Sequence, residues 1–232
     1  MLREIDPDVM LLQEVRDEES ASRLLEAIAP NRYQIAVFSR FRDNLGVGWQ
    51  QLVIAAKFPA KAAYARSWQT VGLVDPPRGF AFAVFEVENR TFAVYAVHLK
   101  SNLAQGDAFR TVQLNILKRE LAAQQVLEHI GSVPTETGIR PEIVVVGGDF
   151  NTSPDDLRFA SEKTLPAFDQ AGFLNPILRL PAEQRVTIPA EGRYPPATFD
   201  YILTRGVVSA KTTIRKSSVS DHWPVTVVFS FP

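Results

Sequence analysis

Five places in this sequence set a carboxylate, an amide or an imidazole beside an apolar run. Glu14 follows Val9–Leu12, and His98 ends Thr91–Val97. Asp149 and Asn151 follow Ile143–Val146 through Gly147-Gly148. Asp200 leads into Tyr201-Ile202-Leu203, and Asp221-His222 precede the final apolar run. Short apolar runs of this kind read as strands, and ligands in α/β proteins gather at strand ends, where a rigid backbone aims the side chains. Together the carboxylates of Glu14, Asp149, Asp200 and Asp221, the Asn151 amide and the imidazoles of His98 and His222 form a set rich in hard oxygen donors. That set suits Mg²⁺ or Mn²⁺ rather than zinc. A hard dication held by such a set could lower the pKa of a bound water.

Each residue also has a plainer reading. Glu14 alone could be a solvated surface acid, and His98 a core histidine. Gly147–Asn151 could be a tight turn, since Gly, Asp and Asn all favour turns. Asp200 could cap a turn, and Asp221 could bond Ser220. Asp149 and Asn151 are two residues apart, so an extended backbone turns both to one face.

Composition bounds the possibilities. The chain has 232 residues, with 46% hydrophobic and 22% charged, which is enough to bury a sizeable core. Net charge is −1, without the basic excess of a protein that grips duplex nucleic acid tightly. There is no cysteine, which excludes disulfides and thiolate metal sites. No apolar stretch approaches the roughly 20 residues of a membrane span. Met1-Leu2-Arg3-Glu4 does not read as a signal peptide. A soluble monomer is expected, cytoplasmic or exported.

The elements that must carry the polar residues follow from periodicity. Val9–Leu12, Tyr33–Phe38, Gln51–Ala56, Ile143–Val146, Thr198–Leu203 and Val225–Phe229 read as strands. Phe80–Val87 and Thr91–Leu99 read as an antiparallel pair turning at Glu88-Asn89-Arg90. Glu18–Ala29 reads as a helix with Leu24, Leu25 and Ile28 inward. Asp107–Ile130 reads as a long helix, capped by Asp107, with Leu114, Leu117 and Leu121 on one face. Arg40–Gly48, Lys57–Gly79, Gly131–Pro141 and Leu180–Pro196 read as loops. Helices falling between strands give an α/β (α+β) chain with buried sheets.

Five segments carry a resemblance. Asp6-Pro7-Asp8-Val9-Met10-Leu11-Leu12-Gln13-Glu14, Val97-His98-Leu99-Lys100-Ser101, Gly147-Gly148-Asp149-Phe150-Asn151, Phe199-Asp200-Tyr201-Ile202-Leu203 and Ser220-Asp221-His222-Trp223-Pro224-Val225 resemble, in order, motifs of the endonuclease/exonuclease/phosphatase superfamily. They span nearly the whole chain. The resemblance implies a single domain over residues 1–232, a four-layered sandwich of two mixed β-sheets face to face with helices outside. It implies that Glu14 binds the metal with support from Asp221, and that Asp149, beside that metal, orients or deprotonates the attacking water. Asn151 would hold the water and a phosphate oxygen. Asp200 would orient His222, which would contact the scissile phosphate or carry a proton, and His98 would face the phosphate and help the leaving group. Asn102 and Arg78 are expected to bind substrate. Lys100, Ser101 and Arg110 are weaker candidates, and His129 is expected to be structural.

The chain departs from the superfamily in two ways. The superfamily opens on a core strand whose Asn belongs to the metal site, whereas this chain starts inside the following helix, so an N-terminal truncation and a vacant sheet position are expected. Pancreatic-type deoxyribonucleases pair the counterpart of His98 with a nearby acid, but Gly79 stands beside Arg78 here.

The expected function is Mg²⁺-dependent hydrolysis of a phosphate ester, a phosphodiester first, in an endonuclease/exonuclease-type reaction with nucleic acid as the leading partner. The alternatives are a phosphatase or phospholipase acting on inositol phosphates or sphingomyelin, and a non-catalytic binding module.

Overall fold

The computed structural model describes residues 1–43, 46–102, 108–191 and 194–231. In chain order, a short helix α1 (Leu2–Ile5) leads into β1 (Val9–Val15), and helix α2 (Glu18–Ile28) leads into β2 (Gln34–Phe38). Next come β3 (Arg42–Asp43), β4 (Gly46–Val47), β5 (Gln51–Ala56), β6 (Ala60–Ser67), β7 (Gly79–Val87) and β8 (Arg90–His98). The long helix α3 (Ala108–Thr137) precedes β9 (Ile143–Asp149) and helix α4 (Thr164–Gln170). The chain ends through β10 (Asp200–Arg205), β11 (Ser209–Ile214) and β12 (Val225–Ser230). No described helix is long and apolar enough to cross a membrane.

Two sheets form the centre. The larger runs β10-β9-β8-β7-β6 and the smaller β1-β5-β2, with β1 at its edge. The larger is mixed, because β8 and β9 are parallel while its other pairs are antiparallel. The smaller is antiparallel throughout. Strands β11 and β12 pair with each other, as do β3 and β4.

Alternation along the strands sorts three layers of core. In β5, Leu52, Ile54 and Ala56 face the larger sheet, meeting Ala81, Ala83, Phe85 and Ala96. Val53 and Ala55 face the other way, onto Ala21, Leu25 and Ile28 of α2. On the far side of the larger sheet, Phe80, Phe82, Val84 and Tyr95 pack under Ala122, Ala123 and Val126 of α3 and Phe168 of α4. The order is therefore helix, sheet, sheet, helix. Strands covered on both faces need apolar residues at every position, which is why β5, β7 and β9 read as unbroken apolar runs. Fully burying one such Phe or Leu contributes roughly 1.5–3 kcal/mol.

Several sequence expectations are corrected here. In α2, Ala21, Leu25 and Ile28 are buried, but Leu24 is 38% exposed. Asp17 caps that helix, accepting the Ser20 N–H at 2.7 Å. In α3, Leu114 and Leu117 are exposed, while Ile116, Arg119, Ala123, Val126, His129 and Val133 are buried. Leu114 and Leu117 thus lie away from the packed face, while Leu121, the third residue of the expected stripe, is half-buried. A polar Arg and His were tolerated on the packed face because each finds buried partners. Helix α3 also runs on to Thr137, past Gly131 and through Pro134, where a loop was expected. The expected cap Asp107 lies outside the described residues. The expected loop Lys57–Gly79 contains β6, whose half-exposed edge position lets it alternate with polar residues.

Candidate active site

The larger sheet places three site residues on adjoining strands. In the parallel β8–β9 ladder, His98 is the register partner of Asp149. In the antiparallel β9–β10 ladder, Asp149 is the register partner of Asp200. His98, Asp149 and Asp200 therefore form a row across one end of the sheet. Parallel pairing brings the carboxyl ends of β8 and β9 together, and the antiparallel neighbour contributes its first residue at the same level.

Gly148 makes this row possible. It has φ +137°, and a Cβ there would sit 1.9 Å from the Val97 carbonyl oxygen. Only glycine allows β9 to approach β8 so closely just before Asp149. One residue earlier, a Cβ on Gly147 would fall 2.6 Å from Leu11 Cδ1, so this glycine lets the smaller sheet approach.

The other site residues converge from loops and from the facing sheet. Glu14 sits in a bulge of β1, where the pairing to β5 slips between Leu12 and Val15, and it has φ 56°. The bulge turns its carboxylate toward the larger sheet. His98 Nε2 lies 3.8 Å from Glu14 Oε1 and 3.5 Å from Asp149 Oδ2. Asn151, at φ 53°, donates its backbone N–H to Asp149 Oδ1 at 2.7 Å and its amide to Asp149 Oδ2 at 2.6 Å. His222 enters from the loop before β12, its Nδ1 2.8 Å from Asp200 Oδ2.

Arg78 lies beside this group and is held by backbone. It donates to the His98 carbonyl at 2.9 Å and the Leu99 carbonyl at 3.1 Å, and through Nη1 to Gln50 Oε1 at 2.7 Å. Gln50 in turn donates to Glu14 Oε1 at 3.1 Å. Asn102 donates to the Asn151 carbonyl at 2.5 Å. The sequence singled out Arg78 and Asn102 as substrate contacts; their described partners are protein groups that frame the site. Asp221 is exposed at the rim and accepts from Ser220 Oγ at 3.3 Å. Lys100 and Ser101 are half-buried beside His98, and Arg110 is exposed on the first turn of α3. His129 is structural, as expected, its ring nitrogens each 2.8 Å from a tyrosine hydroxyl, of Tyr64 and Tyr95.

Electrostatics separate the ionisable groups. Burial, followed by the charge of Asp200, pushes the Asp149 carboxyl well above the usual carboxylate range. Burial also lowers His98 to about 3, helped by the positive charges of Arg78, His222 and Lys100, so its imidazole is neutral. Its Nδ1 is buried without a hydrogen-bond partner. For His222 burial works downward, but the hydrogen bond and charge of Asp200, with Asp149 and Asp221 behind it, outweigh burial and raise it to about 9. The site thus pairs a proton-hungry carboxylate with a neutral and a charged imidazole.

Among the described residues, no group of three or more His, Asp or Glu is gathered closely enough to cage a metal. The donor chemistry nevertheless fits a hard dication. Glu14 and Asp149, from opposite sheets, each bring a carboxylate oxygen within 3.8 Å of His98 Nε2, and Mg²⁺ is habitually held by one or two carboxylates, with water and substrate phosphate completing its shell. A cavity of about 520 Å³ between α3 and α4 is lined by Glu120, Leu127 and Ala167 and holds none of these residues.

Gln50, Arg119 and Glu162 were not singled out from the sequence. Gln50 lies in a polar loop, and Arg119 and Glu162 look like ordinary surface charges until the fold buries them.

The sequence profile of the Endonuclease/Exonuclease/phosphatase family matches residues 1–222. No curated protein sequence matches the chain significantly. Several solved structures share the fold. An endonuclease/exonuclease/phosphatase family protein from Leptotrichia buccalis superposes with a TM-score of 0.67 at 18% identity, covering 99% of this chain and 90% of that one. TDP2 from D. rerio, complexed with single-strand DNA product, gives 0.62 at 18% identity, covering 99% and 88%. Sphingomyelinase C from Streptomyces griseocarneus gives 0.62 at 19% identity, covering 96% and 86%.

Proposed function

This chain belongs to the endonuclease/exonuclease/phosphatase family, a family of phosphoesterases, and from that membership we propose that it hydrolyses a phosphodiester with a divalent metal ion and water. The observation that carries the reading is the row His98, Asp149, Asp200 in strand register, with His222 held on Asp200 and Glu14 facing it.

Each residue has a part in that reaction. Glu14 and Asp149 would hold Mg²⁺ or Mn²⁺, with Asp221 as the outlying third carboxylate. The bound ion would offset the charge of the phosphate and lower the pKa of a coordinated water. Asp149 accepts the water's proton, a task suited to a carboxylate whose proton affinity is raised by burial and by Asp200. Asn151 fixes both oxygens of Asp149 and so sets the direction of attack. His222, kept charged by Asp200, donates to a non-bridging phosphate oxygen and stabilises the charge that builds in the transition state. His98, neutral and with Nε2 beside Glu14 and Asp149, offers a hydrogen bond toward the phosphate or its leaving oxygen. Arg78 adds positive charge behind the group, although its donors are largely committed to the chain.

Nucleic acid is the leading substrate class. Trp49 is 78% exposed and adjoins Gln50, which bonds both Glu14 and Arg78. An exposed indole one residue along the chain from Gln50 offers a stacking face for a base. The similar fold of D. rerio TDP2, complexed with single-strand DNA product, supports the same class.

The test is hydrolysis of bis(p-nitrophenyl) phosphate, single-stranded DNA and sphingomyelin with Mg²⁺, Mn²⁺ or EDTA, comparing the chain with Asp149→Ala. Metal-dependent turnover that falls by about 10²-fold or more in the variant is expected. DNA cleavage selects the nuclease reading, and headgroup release from sphingomyelin alone selects the lipid one. Turnover that survives EDTA or the Asp149→Ala change, or absence of turnover on all three substrates, overturns the proposal.

A further inference from the structure

Arg119 lies in the middle of α3 with 0% exposure. A guanidinium so placed is tolerated only if its donors are satisfied. Nε and Nη2 meet Glu162 in a bidentate pair, at 2.8 and 2.5 Å. Glu162 is itself fixed by the Thr164 hydroxyl at 2.6 Å. That pair already neutralises the charge.

The remaining nitrogen reaches elsewhere. Nη1 donates to the Lys100 carbonyl at 2.9 Å and to Asn102 Oδ1 at 2.6 Å. Both belong to the segment that follows His98. Because Asn102 Oδ1 is taken by Arg119, its amide nitrogen must face the other way, toward the Asn151 carbonyl at 2.5 Å. Asn151 then grips Asp149 and, through the same amide, the Leu99 carbonyl at 3.2 Å. One unbroken chain of hydrogen bonds therefore runs from the buried face of α3 to the carboxylate at the centre of the site.

We propose that Arg119 is a positioning residue for the hydrolytic site: anchored by Glu162, it holds Lys100–Asn102 and, through Asn102, sets the Asn151 turn and the aim of Asp149. The planar fork is what the geometry demands, since it serves Glu162 and the loop at once. A lysine supplies a point charge that can satisfy Glu162 but cannot reproduce the fork. The kinetic consequence rests on the phosphodiesterase reading, whereas the structural consequence does not.

The experiment compares the wild type with Arg119→Lys, Asn102→Ala, the double variant and Thr164→Val. It measures kcat and KM on bis(p-nitrophenyl) phosphate with Mg²⁺, and amide hydrogen exchange without metal. Arg119→Lys is expected to lower kcat about tenfold while KM stays within about twofold. In the Asn102→Ala background the same change should add less than about twofold, because the path is already cut. Exchange should rise selectively at Leu99, Phe150 and Asn151. Thr164→Val, which touches the ion pair but not the loop, should lower Tm and leave kcat within about twofold. A lower Tm with unchanged kcat and unchanged local exchange in Arg119→Lys overturns the proposal, as do equal kcat losses in both backgrounds. If the wild type shows no metal-dependent turnover, the functional reading falls and exchange alone decides: unchanged protection at Leu99, Phe150 and Asn151 then sinks the positioning role, and selective loss sustains it. Should Arg119→Lys not fold, Asn102→Ala must show the same selective exchange at Asn151, and its absence counts against the proposal.

Discussion

His222 Nδ1 lies 2.8 Å from Asp200 Oδ2, and Asp200 is the cross-strand partner of Asp149. One carboxylate thus serves two neighbours with opposite effect. It stabilises the charged imidazole of His222 and disfavours the charged form of Asp149. Ionisation states at the site are coupled through the sheet register.

That coupling makes a pH prediction. His222 is raised to about 9 in the fold, above its ordinary 6.5. A raised pKa means stabilisation that is complete below 6.5 and lost as pH climbs through about 9. In Asp200→Asn the midpoint should fall toward the ordinary value, and the alkaline limb of kcat/KM should move down with it. Proton NMR titration of His222 in EDTA measures the midpoint without metal. A midpoint unmoved in the variant would show that Asp200 is not the group holding the proton.

The metal site can be probed by its midpoint. Glu14→Gln keeps the shape of the side chain but removes its charge, so the Mg²⁺ concentration for half-maximal rate should rise about tenfold or more. Gln50→Ala should shift it in the same direction by less, since it only releases a carboxylate that Gln50 orients at 3.1 Å. Tm of the wild type should rise with Mg²⁺ in a concentration-dependent way, since an ion that binds only the native state stabilises it by mass action. An unchanged metal midpoint in Glu14→Gln removes Glu14 from the ligand set.

The two glycines before Asp149 should respond unequally to alanine. At Gly148 the new Cβ would meet the Val97 carbonyl oxygen at 1.9 Å with φ at +137°, and backbone cannot step aside. We expect Gly148→Ala to cost roughly 3 kcal/mol or more and to disrupt the His98–Asp149 register. At Gly147 the obstacle is the Leu11 Cδ1 tip, 2.6 Å away, which can rotate. There the cost should be roughly 1–3 kcal/mol. Urea denaturation of both variants checks the order, and equal losses would mean that the β8–β9 approach is not the constraint.

His129 predicts acid sensitivity outside the site. It is 4% exposed between Tyr64 and Tyr95, and burial, with Arg66 nearby, lowers it to about 4. Glu136, which accepts from Tyr64 and Arg66, is held down at about 2 and so stays ionised across the window. A histidine depressed in the fold binds more protons when unfolded, so stability is full above 6.5 and declines as pH falls toward about 4. The decline should be on the order of 2–3 kcal/mol. In His129→Gln that part of the acid limb should flatten, measured as urea stability from pH 7 to pH 4. An identical limb in both proteins would assign the loss to other groups.

The sequence by itself determined the inventory. An apolar run followed by Glu14, by His98, by Asp149-Phe150-Asn151, or preceded by Asp221-His222, is a local statement, because strand formation and strand-end polarity depend on a few adjacent residues. The α/β class with buried sheets followed from the same local signals, and the resemblance to the superfamily implied its layering. Tertiary structure alone decided which of these residues meet. Strand order and register are long-range choices, so the row His98, Asp149, Asp200 could not be read before β8, β9 and β10 were seen side by side. Burial is equally non-local: Leu114 and Leu117 looked like core and are exposed, whereas Arg119 looked like surface and is fully enclosed. Periodicity reveals a helix face but not which neighbour it meets. A charged side chain on the packed face is tolerated only when a distant residue such as Glu162 arrives to pair with it, and no window of the sequence contains both.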